Sequence, residues 1–204
     1  MTTHFEKLLA GDEIILAPGA YDALSARVAA QAGAKAVYLS GFSVTGSVLG
    51  MPDVGLMCAT EMADRVRAMA AACAPTPLIA DGDTGHGGPL NAARLVSLYE
   101  QGGAACIQIE DQVFPKRCGH MANKEVVPVE IASANIRSAC AARQSTSFKV
   151  MARTDARAPL GYDEAIRRAD AYLEAGADIL FIEAPQSLDE LVAIADRYSA
   201  IPLV

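Results

Sequence analysis

Seven short apolar runs, at residues 14–17, 36–40, 77–80, 105–109, 148–152, 179–182 and 201–204, alternate with Ala-rich segments of helical period. That alternation limits the fold more than any other feature of the chain. Runs apolar at successive positions suit strands buried on both faces, as in a parallel sheet. Apolar residues three and four apart suit the helices that cover one. The helical patterns lie at 22–32, 59–72, 90–101, 130–142, 162–175 and 187–198. Three of them run into Ala-Gly-Ala or Gly-Gly-Ala, at 32–34, 102–104 and 175–177, just before the next strand, the position of a helix-ending glycine.

Two architectures accept a βα repeat: an open doubly wound sheet and a (β/α)8 TIM barrel. Ser40, Asp81, Asp83, Glu110, Arg153 and Glu183 fall at the carboxyl ends of five different strands, and no Gly-rich phosphate loop follows the first. A barrel gathers all five ends round one mouth, where barrel enzymes build their active sites. Asp81 and Asp83, two apart, point the same way from an extended chain. Residues 1–204 are therefore expected to form a single barrel domain, with the chain ending in the seventh strand. An eighth strand and the C-terminal helices are expected beyond Val204, since an open parallel edge is avoided.

Composition narrows the function. With 204 residues and 52% hydrophobic content, the chain can bury one sizeable core. No apolar stretch reaches the roughly 20 residues of a membrane span, and the N-terminus lacks a signal peptide's basic region and apolar run. The chain reads as cytoplasmic with no membrane partner. A net charge of −7 disfavours nucleic acid, which is bound through positive surface. The five cysteines, Cys58, Cys73, Cys106, Cys118 and Cys140, are odd in number and scattered, which fits reduced thiols.

Asp81, Asp83, Glu110 and Asp53 read either as solvated or Arg-paired carboxylates or as a divalent-cation site. Mg²⁺ takes oxygen ligands and keeps several waters, so Asp83 is expected as direct ligand, with the other three in the water-mediated shell. Mn²⁺ is the possible substitute. Arg153 pairs with Asp155 or Glu183, grips a substrate carboxylate bidentately, or does both. In Lys116-Arg117-Cys118-Gly119-His120 a thiol lies among cations, the setting in which a cysteine becomes a usable proton donor or nucleophile. Zinc ligation by Cys118 and His120 is disfavoured, since no other Cys or His has suitable spacing. The long connection 111–129 that carries this run has the length of an active-site lid. His86 reads equally as a packed loop histidine or a catalytic one. Lys149 lies near the start of its strand, toward the inert end of a barrel, which speaks against a Schiff-base aldolase.

These residues resemble the isocitrate lyase and phosphoenolpyruvate mutase superfamily. Lys-Arg-Cys-Gly-His matches the signature of its carbon–carbon lyase branch. The likeness continues through Tyr38-Leu-Ser-Gly41, Gly50-Met-Pro-Asp53, Asp81-Gly-Asp83, Ile109-Glu-Asp-Gln112, Met151-Ala-Arg-Thr-Asp155 and Glu183-Ala, nearly the whole chain in order. It implies a Mg²⁺-dependent barrel that cleaves a 2-hydroxy di- or tricarboxylate by retro-aldol chemistry to a 2-oxo acid and a carboxylate, with Cys118 protonating the enolate. Arg117, His120, Arg153 and Glu183 join the implied catalytic set. Tyr38, Ser40, Gly41, Phe42, Gly119, His120 and Arg153 form the implied substrate contacts. A homotetramer with swapped C-terminal helices is also implied. Within the short-chain lyases, Phe42-Ser-Val resembles the 2,3-dimethylmalate lyase or petal-death-like group, and a bulky Phe42 is expected to narrow the pocket toward a small alkyl group. The methylisocitrate lyase group, releasing pyruvate and succinate, is the alternative. An oxaloacetate decarboxylase and a non-catalytic dicarboxylate-binding barrel are further ones.

Overall fold

A computed structural model describes residues 3–119, 121 and 123–204. In chain order the elements are α1 (His4–Leu9), β1 (Gly19–Ala20), α2 (Ala23–Gln31), β2 (Val37–Leu39), α3 (Gly41–Leu49), α4 (Ala59–Cys73), β3 (Leu78–Asp81), α5 (Pro89–Gln101), β4 (Cys106–Glu110), α6 (Val129–Ala142), β5 (Lys149–Thr154), α7 (Arg157–Leu160), α8 (Tyr162–Glu174), β6 (Ile179–Ile182) and α9 (Leu188–Arg197). The strands form one parallel sheet in the order β1-β2-β3-β4-β5-β6. A doubly wound sheet would reverse this order at a switch point; consecutive winding is that of a barrel. Among the described residues the arc is not closed by hydrogen bonds.

Register explains why the polar residues gather. Ile79 pairs with Cys106, Asp81 with Gln108, Glu110 with Arg153, and Arg153 with Phe181. Because side chains alternate along a strand, these residues belong to one inward-facing set that rises in layers. Below the mouth the set is mainly apolar, with Gln108 the buried polar member: Ile79, Cys106, Met151 and Ile179 pack with Phe5 of α1, against Tyr38 and Phe181. The upper layer is Asp81, Glu110 and Arg153. Lys149 stands at the lower end, where its ammonium lies 3.2 Å from Glu6 of α1 and donates to the Thr146 carbonyl at 2.7 Å. It is committed there, far down the strand from the polar layer.

Helix boundaries follow local chemistry. Asp22 caps α2 by accepting from the Ser25 amide at 2.7 Å, and Pro89 opens α5. Gly33 and Gly176, at φ of +92° and +102°, end α2 and α8.

Two expectations need correction, and one helix was not expected. Residues 14–17 form no strand: Ile15 and Ala17 turn inward while Ile14 and Leu16 are exposed, the alternation of a strand. Ladder bonding, however, begins only when Tyr38 N donates to Pro18 O. The 201–204 run reduces to one parallel bridge, Leu180 with Leu203. Gly41–Leu49 is helical despite a composition rich in Gly and β-branched residues. The Ser40 hydroxyl caps it at the Ser43 amide, and Thr45 donates to the Gly41 carbonyl.

Candidate active site

At the carboxyl ends of the strands, side chains of β3 to β6 meet the 111–129 connection. Asp81, the last residue of β3, has both oxygens engaged: Oδ2 accepts from the Gly41 amide at 3.0 Å, and Oδ1 from the Asp83 amide at 3.0 Å. Asp83 adopts a left-handed conformation (φ +47°), held there by that bond and by the Glu110 amide donating to its carbonyl. A non-glycine residue in this region marks a backbone over-determined by its surroundings, as at functional sites. The intervening Gly82 lies against β4, where a Cβ would stand 2.7 Å from the Gln108 carbonyl oxygen.

The connection inserts two buried lysines. Lys116 Nζ lies 2.5 Å from Asp53 Oδ1 and 2.7 Å from Asp83 Oδ1. Asp83 Oδ1 is buried, and the Lys116 ammonium is the cation that faces it. Lys124 Nζ donates to Asp155 Oδ1 at 2.6 Å and to the Gly119 carbonyl at 2.8 Å. Gln112 steadies the segment between them: it accepts from the Arg117 amide and donates to the Arg117 carbonyl and to Glu110 Oε1.

Arg153 is the hub of the mouth. Its Nε and Nη2 donate to the two oxygens of Asp155 at 3.0 and 2.9 Å, Glu110 Oε2 lies 3.5 Å away, and Glu183 Oε2 3.3 Å away. The Phe181 ring lies beneath the guanidinium, 4.9 Å from centroid to Cζ. Gly119 presses on it so closely that a Cβ there would fall 2.2 Å from Nη2. Cys118, half-buried, directly precedes this contact, and its carbonyl accepts from the Met121 amide at 2.8 Å.

The electrostatics favour an added cation. Among the described residues, the cations paired with Asp53, Asp83, Glu110, Asp155 and Glu183 are Lys116, Lys124 and Arg153, and Asp81 adds a further carboxylate. Burial, with Asp81 beside it, raises Asp83 to about 6 against the pull of Lys116. Burial also holds Glu110 well above the carboxylate range, Arg153 opposing it and Asp155 and Asp81 adding to it. Burial alone would lower Lys116, but Asp83, Asp81 and Glu110 outweigh it and hold the ammonium above its ordinary value.

A raised aspartate binds its proton more tightly folded than unfolded, so its contribution to stability is present below its ordinary value near 3.8 and lost as pH rises through about 6. The stability difference between the metal-free protein and Asp83→Asn is expected to move against the wild type over that window. Thermal melts of both proteins across the pH range check this.

A hard divalent cation fits these donors: carboxylates outnumber the cations described around them, and all are oxygen ligands of the kind such an ion takes. Among the described residues no three His, Cys, Asp or Glu side chains converge on one point. Mg²⁺ commonly takes one or two carboxylates directly and the rest through water.

The sequence-predicted residues divide by place. Asp53, Asp81, Asp83, Glu110, Arg153, Glu183, Gly41 and Gly119 come together at the mouth. Ser40 serves as the cap of α3. Tyr38 lies one layer down, donating to Gln108 Oε1 at 2.8 Å. Phe42 is 56% exposed, so the narrowing expected of it is not seen. Arg117 is also exposed, held through its backbone by Gln112. His120 lies outside the described residues. His86, at φ +55°, lies with Nε2 buried and 4.0 Å from Asp83 Oδ2. With Glu110, Gln112, Met57 and Phe114 it borders a cavity of about 560 Å³ beside the mouth. Sequence reasoning gives no role to Lys124 or Gln112, and reads Lys116 only as one of the cations beside Cys118. Gln112 ends the strand motif at 109–112, which was its one signal.

A sequence profile described as phosphoenolpyruvate phosphomutase matches residues 5–204. The chain is 48% identical over 188 residues to 2,3-dimethylmalate lyase of Eubacterium barkeri, covering 92% of this chain and 65% of that protein. To 2-methylisocitrate lyase of Bacillus subtilis (strain 168) it is 43% identical over 200 residues, 98% of this chain and 65% of the relative. The chain therefore spans about 65% of the length of these relatives. The crystal structure of 2,3-dimethylmalate lyase, described as a PEP mutase/isocitrate lyase superfamily member, superposes with a TM-score of 0.94 at 39% identity, over 100% of this chain and 69% of that one. Phosphonopyruvate hydrolase, crystallised with oxalate and Mg²⁺, gives 0.86 at 36% identity, over 99% and 71%. The superposition takes in the whole arc of strands, and the (β/α)8 barrel class read from the sequence stands.

Proposed function

The chain belongs to the phosphoenolpyruvate phosphomutase and isocitrate lyase superfamily, and from that membership we propose that it serves a divalent-cation-dependent carbon–carbon lyase acting on a 2-hydroxy di- or tricarboxylate of the 2-alkylmalate type. The barrel domain over residues 1–204 is the seat of that activity. The observation that carries the proposal is the seating of Gly119 on Arg153, which puts the residue after Cys118 against the arginine of the mouth. Mg²⁺, with Mn²⁺ as its substitute, would be held by Asp83 directly and by Asp81, Glu110 and Asp53 through its waters. When bound it supplies Lewis-acid stabilisation of negative charge.

The protein's own groups supply the rest. Asp155 engages Nε and Nη2 of Arg153, which fixes the guanidinium plane and leaves Nη1 to grip a substrate carboxylate. A carboxylate of the mouth, Glu183 in this proposal, accepts the proton of the substrate hydroxyl. The C–O bond becomes a carbonyl, the C–C bond breaks, and its electron pair passes to the departing fragment as a carboxylate-stabilised enolate. The Cys118 thiol gives that enolate its proton. Tyr38, Ser40, Gly41 and Phe42 line the approach in the same proposal, and Arg117 and His120 contribute positive charge near the developing anion. A homotetramer exchanging a C-terminal helix belongs to the proposal too, and sedimentation as a monomer would remove it.

The test is to incubate the protein with Mg²⁺ and, separately, 2,3-dimethylmalate, 2-methylisocitrate, isocitrate and oxaloacetate, and to follow 2-oxo acid release with and without EDTA. Cleavage of 2,3-dimethylmalate that EDTA abolishes is expected. Preference for 2-methylisocitrate would move the substrate to the tricarboxylate, and turnover of oxaloacetate alone would replace the lyase by a decarboxylase. Binding of oxalate with no turnover at all would leave a dicarboxylate-binding barrel.

A further inference from the structure

Lys124 lies in the lid, yet its side chain is 2% exposed, and it faces a carboxylate that is completely buried. Its ammonium joins two groups from different parts of the site: the Gly119 carbonyl at 2.8 Å and Asp155 Oδ1 at 2.6 Å. Asp155 is itself immobilised, because its amide donates to Asp111 Oδ1 at 2.8 Å. Asp111 Oδ2 in turn accepts from Thr154, Arg168 and Tyr172 at 2.7, 3.0 and 2.7 Å. An unbroken path of short polar contacts therefore runs from the wall of the barrel, through Lys124, to the backbone one residue past Cys118. At its end Gly119 is pressed on Arg153 with no room for a side chain.

Nothing apolar could do this. The lysine must carry charge opposite Asp155, and it must also offer a second donor directed at a carbonyl, which an ammonium with three donors can do. We propose that Lys124 is a positioning residue that latches the lid, holding the Cys118-Gly119 step on Arg153 through the Gly119 carbonyl. The proposal rests on the lyase reading for its kinetic consequence, but not for its structural one.

The experiment combines native-state hydrogen exchange with steady-state kinetics on wild type and Lys124→Met, with Lys124→Gln as the gentler variant should the first fail to fold. Loss of the latch is expected to speed exchange across 113–119 by about tenfold or more while strand β5 keeps its protection, the pattern of local rather than global opening. In the same variant kcat is expected to fall by roughly 10²-fold, the scale for a misplaced reacting group. KM should stay within about threefold, because Arg153 and Asp155 remain. Exchange that rises equally in β5 would make Lys124 an ordinary fold residue and overturn the latch. Wild-type exchange at 113–119 in both variants would overturn it as well. If the wild type cleaves none of the hydroxy acids, the lyase reading fails, and the exchange data still decide the latch by themselves.

Discussion

Serine in place of Cys118 is expected to lower kcat for hydroxy-acid cleavage by about 10²–10⁴-fold, the range for a positioned general acid. A hydroxyl is a far weaker acid than a thiol, so in the proposed mechanism the enolate would have to wait for another proton donor. The melting temperature should move little, because Cys118 is only half-buried, serine is close to it in shape, and Lys116, Gln112 and Lys124 also hold the segment. KM should also hold, since substrate binding is assigned to Arg153 and the acids. A Cys118→Ser protein that keeps wild-type kcat would remove the thiol from the mechanism, and one that melts early would show it to be structural.

Arg153→Met is expected to act on both stability and activity. The guanidinium is the common partner of Asp155, Glu110 and Glu183, and its side chain is 11% exposed. Those carboxylates push the arginine above its ordinary value despite the burial that opposes it, so the cation is firmly held. Its removal leaves buried negative charge that Lys124 and Lys116 cannot offset, at a cost of about 3–5 kcal/mol. Where the protein remains folded, kcat/KM should fall by roughly 10²-fold or more through lost charge-assisted bonds to the substrate carboxylate. Arg153→Lys keeps the charge but cannot span both Asp155 oxygens, so it should recover more of the stability than of the activity. Urea unfolding and initial rates on the three proteins separate these two effects.

The polar layer of the mouth was legible in the sequence because strand periodicity is strict. Once 77–80 and 105–109 are read as strands, Asp81, Asp83 and Glu110 can only emerge at one end, and Arg153 follows on the next strand. The parallel register, Glu110 opposite Arg153, bears this out. Lys149 was placed at the inert end by the same counting, and it is bound to Glu6 there. What escaped was set by distant contacts. Lys124 sits in an unremarkable polar stretch, Asn123-Lys124-Glu125, and only the folded chain brings Asp155 to it from 31 residues away. Lys116 read as one cation of a motif, whereas its position is decided by Asp53 and Asp83. The helix Gly41–Leu49 was missed because its composition favours strand or loop, and its cap, with the Gly41 amide tied to Asp81, overrides propensity. Residues 14–17 erred the other way: they have a strand's alternation without a strand's hydrogen bonds.

The decisive measurement is product analysis by NMR after cleavage of 2,3-dimethylmalate in D₂O with Mg²⁺. Retro-aldol cleavage followed by protonation of the enolate requires equal amounts of pyruvate and propionate, the propionate carrying one solvent-derived deuterium at C2. EDTA should suppress both products together. Unchanged substrate under these conditions, with 2-methylisocitrate and isocitrate also left intact, would contradict a carbon–carbon lyase built on Asp83, Arg153 and Cys118.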